Sequence, residues 1–228
     1  MKEFYDFLID NYTIPIYLVT WIVVVLRYRT YYDTPLQYFP IFIMYTFLSE
    51  MLAVLILRYE EFQFFSDDSY SNHNVIVYNI YALVSFLFYY YIYWHVLKVK
   101  KHKAWVLYGA LASILSFMAS LFFQNPFHAS LYYADIISSF ILLFSIGLYI
   151  KEKRSEQSSY SQIHNTMFWT SMGLAVFYTC FPIVYFIVHE IPKIYLEYPI
   201  FQVLMIAVVF MHSSFIIGAI TGRRKAFR

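Results

Sequence analysis

The feature that most constrains this chain is a series of seven apolar stretches, separated by connections too short to fold on their own. The stretches cover residues 12–28, 36–58, 75–97, 104–123, 131–150, 166–188 and 198–221. A hydrocarbon core about 30 Å thick takes roughly 20 apolar residues as a helix. The longest connection, residues 59–74, reads YEEFQFFSDDSYSNHN and is a polar loop. The runs are continuous rather than alternating, which points to helices and away from a β-barrel. Only 13% of the 228 residues are charged, against about 25% in a soluble domain. The lone cysteine, Cys180, excludes a disulfide scaffold within the chain. The expected fold is all-α: one polytopic membrane domain over residues 1–228, a bundle of seven transmembrane helices.

Charge sets the expected orientation. Arg27 and Arg29, the Lys98–Lys103 cluster, Lys151, Lys153 and Arg154, and the C-terminal Arg223, Arg224, Lys225 and Arg228 fall on one side. These are 13 of the 16 basic residues. Lys2, Arg58 and Lys193 fall on the other side. Glu3, Asp6, Asp10, Glu60, Glu61, Asp67, Asp68, Glu190 and Glu197 share it with them. The positive-inside rule places the C-terminus in the cytoplasm and the N-terminus outside. Acids ahead of the first stretch argue against a cleaved signal, so residues 12–28 read as a retained helix. The basic side is expected to face anionic lipid headgroups rather than nucleic acid.

Polar groups at membrane depth are the candidate site residues, because an isolated ionisable group there costs roughly 2.5–3.5 kcal/mol. Glu50 sits mid-span in FLSEMLAVL. It is either a ligand contact, proton site or switch, or a hydrogen-bonded structural group. Asp135 opens a polar face continued by Ser138 and Ser139, and lines either the interior or the water boundary. His212, flanked by Ser213 and Ser214, is a candidate partner for Glu50 or a hydrogen-bonded core histidine. Asn79, near the start of the third span, and Gln202, early in the seventh, complete the set, either as ligand contacts or as interhelical glue.

Other residues suggest mechanics. Gly109, Ser113, Ser116 and Ser120 repeat at spacings of four, three and four, a small-residue stripe for close helix packing or a homodimer interface. Pro15, Pro40 and Pro182 lie inside spans and are expected to kink them, with Pro182 the candidate hinge. The aromatic run Phe86–Trp94 reads as an interfacial belt.

Several chemistries lack their residues. The seventh span contains no Lys for a retinal Schiff base, and no HxxxH, GxSxG or phosphate-cradling Gly-rich loop occurs. No cofactor, metal or catalytic set is expected. Small seven-helix sugar transporters share this arrangement, but spans 1–3 and 5–7 show no convincing repeat.

Three stretches carry a resemblance: Tyr38-Phe39-Pro40 through Tyr45 to Glu50, Asn79-Ile80-Tyr81, and Phe168-Trp169 followed by Gly173 and Phe177-Tyr178. They resemble a family of small, uncharacterised seven-helix proteins of Bacteroidota. The resemblance implies a bacterial inner-membrane protein with a sensing or accessory role, and it assigns no catalytic residue. The resulting expectation is a sensor-type protein that reads a small ligand or membrane state around Glu50, Asn79, Asp135, Trp169 and His212. It would act through a cytoplasmic signalling partner. The alternatives are a small-solute transporter using Glu50 for proton coupling, and a structural subunit of a membrane complex.

Overall fold

A computed structural model describes residues 13–63, 74–155 and 162–224. Lys2, Glu3, Asp6, Asp10, Asp67, Asp68, Lys225 and Arg228 lie outside the described residues. The described residues form eight α-helices joined by turns and short 3₁₀ segments, with no strand among them. They are α1 (Thr13–Leu26), α2 (Phe39–Arg58), α3 (Val75–Val96), α4 (Lys100–Ser120), α5 (Tyr132–Ser155), α6 (Thr166–Glu190), α7 (Pro192–Glu197) and α8 (Phe201–Thr221). Six of these, α2 to α6 and α8, are long and apolar enough to cross a membrane. The 14 described residues of α1 extend about 21 Å at a rise of 1.5 Å each.

The surface is the reverse of a water-soluble protein's. Phe122, Phe123, Leu26, Ile206 and Ile41 are more than two-thirds exposed, whereas Thr20, Ser113, Ser138, Ser139, Ser145 and Thr170 are fully buried. In lipid, outward apolar side chains cost nothing, and interior hydroxyls hold helices together. This exposure pattern and the six long apolar helices identify a multi-pass membrane protein.

The chain divides into two compact units. The first combines Met1–Phe47 with Arg154–Arg228, and therefore holds α1, the start of α2, α6, α7 and α8. Its centre is the packing of α6 along α8, with α1 also against α8. Glycines from each side permit this approach. A Cβ on Gly173 would stand 2.9 Å from the Met211 backbone oxygen, and one on Gly218 would stand 2.7 Å from Trp169 Cβ. Phe39 meets Phe215 edge to face in the same core.

The first unit also closes its helix ends with side chains. The last carbonyls of a helix have no partner within it. Val24 O accepts the Tyr31 hydroxyl. Arg27 donates through Nε to Ala219 O at 3.2 Å and through Nη2 to Ile220 O at 2.9 Å. A cation there also complements the α8 dipole. Asn165 caps α6, accepting from Met167 N at 2.9 Å.

The second unit is Leu48–Lys153, with the end of α2, then α3, α4 and α5. Ala53, Ile56 and Val77 form a dry cluster between α2 and α3. Phe86 meets Phe117, and Tyr93 meets Tyr149. α4 begins at Lys100, four residues before the expected span, and Glu152 of α5 holds the turn just ahead of it, accepting from Lys98 N and Val99 N.

Two expectations about the backbone change. Pro40 is the second residue of α2, where a missing N–H breaks no helical bond, so it starts the helix instead of kinking it. Pro15 stands in the first described turn of α1, and the residues before it lie outside the described ones. Pro182 is interior to α6 and buried, and α6 continues unbroken through it. The connection after α6 contains a helix, α7, started by Pro192 at a position that suits proline.

Candidate functional site

The residues of the expected interior cluster fall in both units, Trp169 and His212 in the first and Glu50, Asn79 and Asp135 in the second, and each has its own local partners. Asn79 is consumed by backbone. Its Nδ2 donates to Pro126 O at 2.8 Å and Ala129 O at 3.1 Å, and its Oδ1 accepts from Leu131 N at 3.0 Å. It clamps the α4–α5 connection onto α3. Trp169 is likewise structural. It sits in the first turn of α6, half-buried, with Nε1 donating to Ile163 O at 2.9 Å and Cβ against Gly218. That is an anchoring position at a helix end.

His212 is buried in the first unit. Its Nδ1 lies 3.1 Å from Thr20 Oγ1, between the rings of Tyr17 and Phe215. The Thr20 hydroxyl spends its single proton on Ile16 O at 2.6 Å. Thr20 therefore accepts from His212, which fixes the tautomer with the proton on Nδ1. Glu50, in the second unit, is half-buried, and its Oε2 lies 3.5 Å from the Tyr78 hydroxyl. Gln202 is exposed at the start of α8.

The small-residue stripe faces inward. A Cβ on Gly109 would meet Ile141 Cγ2 at 2.5 Å, so α4 packs tightly on α5 there. Ser113 is fully buried and shares a hydrogen bond with Ser138 Oγ. Tyr90 of α3 completes this knot by donating to Ser138 O at 2.8 Å. Ser116 turns back to Ser113 O at 2.7 Å, and Ser120 is buried.

One helix gathers the polar chemistry. Along α5 the buried positions Asp135, Ser138, Leu142, Ser145, Tyr149 and Glu152 repeat at alternating steps of three and four. That spacing keeps one face against neighbouring helices. The face has a carboxyl at each end. At the far end, Glu152 is 8% exposed and engages the turn between α3 and α4. It accepts from Lys98 N at 2.8 Å and Val99 N at 3.3 Å, and its Oε1 lies 2.5 Å from His102 Nδ1. The sequence reading missed Glu152 as a site residue. Its neighbours Lys151, Lys153 and Arg154 make it look like one more solvated charge, although the three-four spacing from Asp135 leads to it.

At the other end, Asp135 is 3% exposed, and its Oδ1 has no hydrogen-bond partner. A buried carboxyl oxygen is normally paired, and an orphan calls for an explanation. Only two other buried side-chain oxygens among the described residues share this state, Ser85 Oγ and Gln124 Oε1, and both belong to the same unit. Among the described residues no group of three or more His, Cys, Asp or Glu gathers as a metal site.

Fold and site together define a helical multi-pass membrane protein that buries a set of hydroxyls, one histidine and two carboxyls. No known protein family, curated protein or solved structure matches the chain.

Proposed function

We propose that this is a sensor-type integral membrane protein of a bacterial inner membrane. In this reading α1 completes a set of seven spans, with the N-terminus outside and the C-terminus cytoplasmic. The observation that carries the reading is α5. One continuous helix holds Asp135, whose Oδ1 has no hydrogen-bond partner, at one end, and Glu152, which grips the basic α3–α4 turn, at the other. A change at Asp135 shifts or rotates α5, and the Glu152 grip passes that movement to Lys98–His102. That turn, flanked by Lys100, Lys101 and Lys103, then presents a changed basic surface to an acidic signalling partner or to a second copy of the chain. Pro182 serves as the hinge of α6. The resemblance of three stretches to small seven-helix proteins of Bacteroidota fits this role.

A fluorophore on Lys101→Cys, in a Cys180→Ser background, tests the reading in proteoliposomes. The emission is expected to respond to a change of pH or sodium in the outer solution, and Asp135→Asn is expected to abolish the response. An emission indifferent to the outer solution, or a response that survives Asp135→Asn, would contradict it. Transport is the second reading, favoured by the hydroxyls of Ser138, Ser139 and Ser145 along the same face. It requires solute flux in the same vesicles.

A further inference from the structure

We propose that the lysines gathered at the Glu152 end of the second unit hold the headgroup of an anionic phospholipid. The inference goes beyond the sensor reading and takes from it only that this end faces the cytoplasm.

Three observations carry it. First, the fold joins two basic stretches, residues 98–103 and 151–153, that lie about 50 positions apart in the chain. The bonds of Glu152 to Lys98 N, Val99 N and His102 Nδ1 set them side by side. Among the described residues, six lysines share this end with one acid. Second, most of that charge is uncompensated. Glu152 is buried and directed at the turn, while Lys100, Lys101 and Lys151 are exposed and pair with no acid among the described residues. Glu60, Glu61 and Asp135 belong to the opposite helix ends. Third, indoles stand at a matching depth. Trp94 and Trp105 are 39% and 51% exposed, and Lys103 Nζ lies 5.0 Å from the Trp94 ring centroid. Trp94 comes three residues before Leu97 and Trp105 five after Lys100, about 5 Å and 8 Å from the turn at 1.5 Å per residue. A headgroup layer is about 5–8 Å thick, so the lysines reach the phosphates when the indoles occupy the interface.

Unpaired ammonium groups beside interfacial indoles favour an anionic lipid over a zwitterionic one, whose own cation repels them. The first unit uses its arginines differently. Arg27 is spent on the carbonyls of Ala219 and Ile220, and Arg224 on Asp33, which leaves Arg29 and Arg223 exposed there. The positive charge left over for a lipid is therefore densest around Glu152.

The test is quenching of tryptophan fluorescence in the full chain, held in a neutral detergent, by phosphatidylglycerol brominated on its acyl chains. Phosphatidylcholine with the same bromination is the comparison. Phosphatidylglycerol is expected to quench saturably and at a several-fold lower mole fraction. Lys100→Gln, Lys101→Gln and Lys151→Gln together should bring its curve onto that of phosphatidylcholine, because each ammonium near an anionic surface is worth about fivefold in affinity. Lys100→Arg, Lys101→Arg and Lys151→Arg together should keep the preference, and so should Arg29→Gln with Arg223→Gln. Equal quenching by the two lipids, a preference that survives the three Gln substitutions, or one lost as fully with Arg29→Gln and Arg223→Gln would each overturn the proposal. A dimer of the native chain in that detergent that comes apart with the three Gln substitutions would overturn it too, by assigning the lysines to a second copy. Failure of the Lys101 response with the lipid preference intact would remove the sensor reading and leave the lipid site standing.

Discussion

Glu152 Oε1 and His102 Nδ1 stand 2.5 Å apart, and the same carboxylate accepts the backbone N–H groups of Lys98 and Val99. One side chain of α5 thus fixes the turn that leads into α4. Hydrogen bonds to a charged acceptor contribute about 1.5–3 kcal/mol. Glu152→Gln keeps one acceptor oxygen but loses the charge, and is expected to destabilise the protein by about 1–2 kcal/mol. Glu152→Ala should cost more, because it orphans two N–H groups. Detergent unfolding of the two variants checks the order, and equal stability to the native chain would refute this hold on the turn.

Asn79 is expected to be among the least replaceable polar residues. Asn79→Ala strands Leu131 N and the carbonyls of Pro126 and Ala129. Leu131 N is buried, and stranding such a group costs about 1–3 kcal/mol, the two part-buried carbonyls less. Asn79→Asp keeps the acceptor for Leu131 N and loses both donors, so it should fall between native and alanine. Protease susceptibility of residues 121–131 reads the loosening directly.

The glycines rank themselves. Gly173→Ala forces a methyl against the α8 backbone, which cannot yield without separating α6 from α8. Gly109→Ala meets the Ile141 side chain, which can adjust. Gly147 has nothing within 4 Å of an added Cβ, and alanine there should gain about 0.5–1 kcal/mol of helix propensity. The expected order of Tm is Gly147→Ala highest, then native, Gly109→Ala and Gly173→Ala. A neutral Gly173→Ala would show that the α6–α8 crossing is looser than described.

Tyr31 predicts an alkaline limb. Burial foremost, then neighbouring Tyr28, raises its phenol above the ordinary value of 10.0. The folded state therefore holds this proton to higher pH than the unfolded state does. Its contribution is complete below about pH 10, then declines until the folded phenol itself ionises. Tyr31→Phe also removes the bond to Val24 O, at about 1 kcal/mol near neutrality. Unfolding followed from pH 8 to 11 should show a shallower alkaline decline in the variant. An unchanged slope would exclude Tyr31 as its source.

Much of the fold was legible because the membrane imposes length. Six of the expected spans match helices whose ends differ by a few residues, and the exceptions have local causes. α4 starts early behind a turn held by Glu152, a residue 52 positions after Lys100, and α7 begins at Pro192 inside an expected connection. The site was less legible. Asp135 was visible as an acid at membrane depth, and its missing partner is a tertiary fact. Asn79 and Trp169 were visible as polar or aromatic residues, but their partners are backbone carbonyls, which carry no sequence signature. Ser85 gave no signal, because a serine in a membrane helix ordinarily bonds its own preceding turn.

The central claim is that α5 links Asp135 to the turn held by Glu152. Amide hydrogen exchange at Lys98 and Val99, compared between native protein and Asp135→Asn in proteoliposomes, tests it most directly. The two N–H groups are about 26 Å along the helix from the substitution, at 1.5 Å per residue. The account predicts that their exchange changes several-fold in the variant, while the amides around Tyr31 in the other unit keep native rates. Identical exchange at Lys98 and Val99 in both proteins would contradict it.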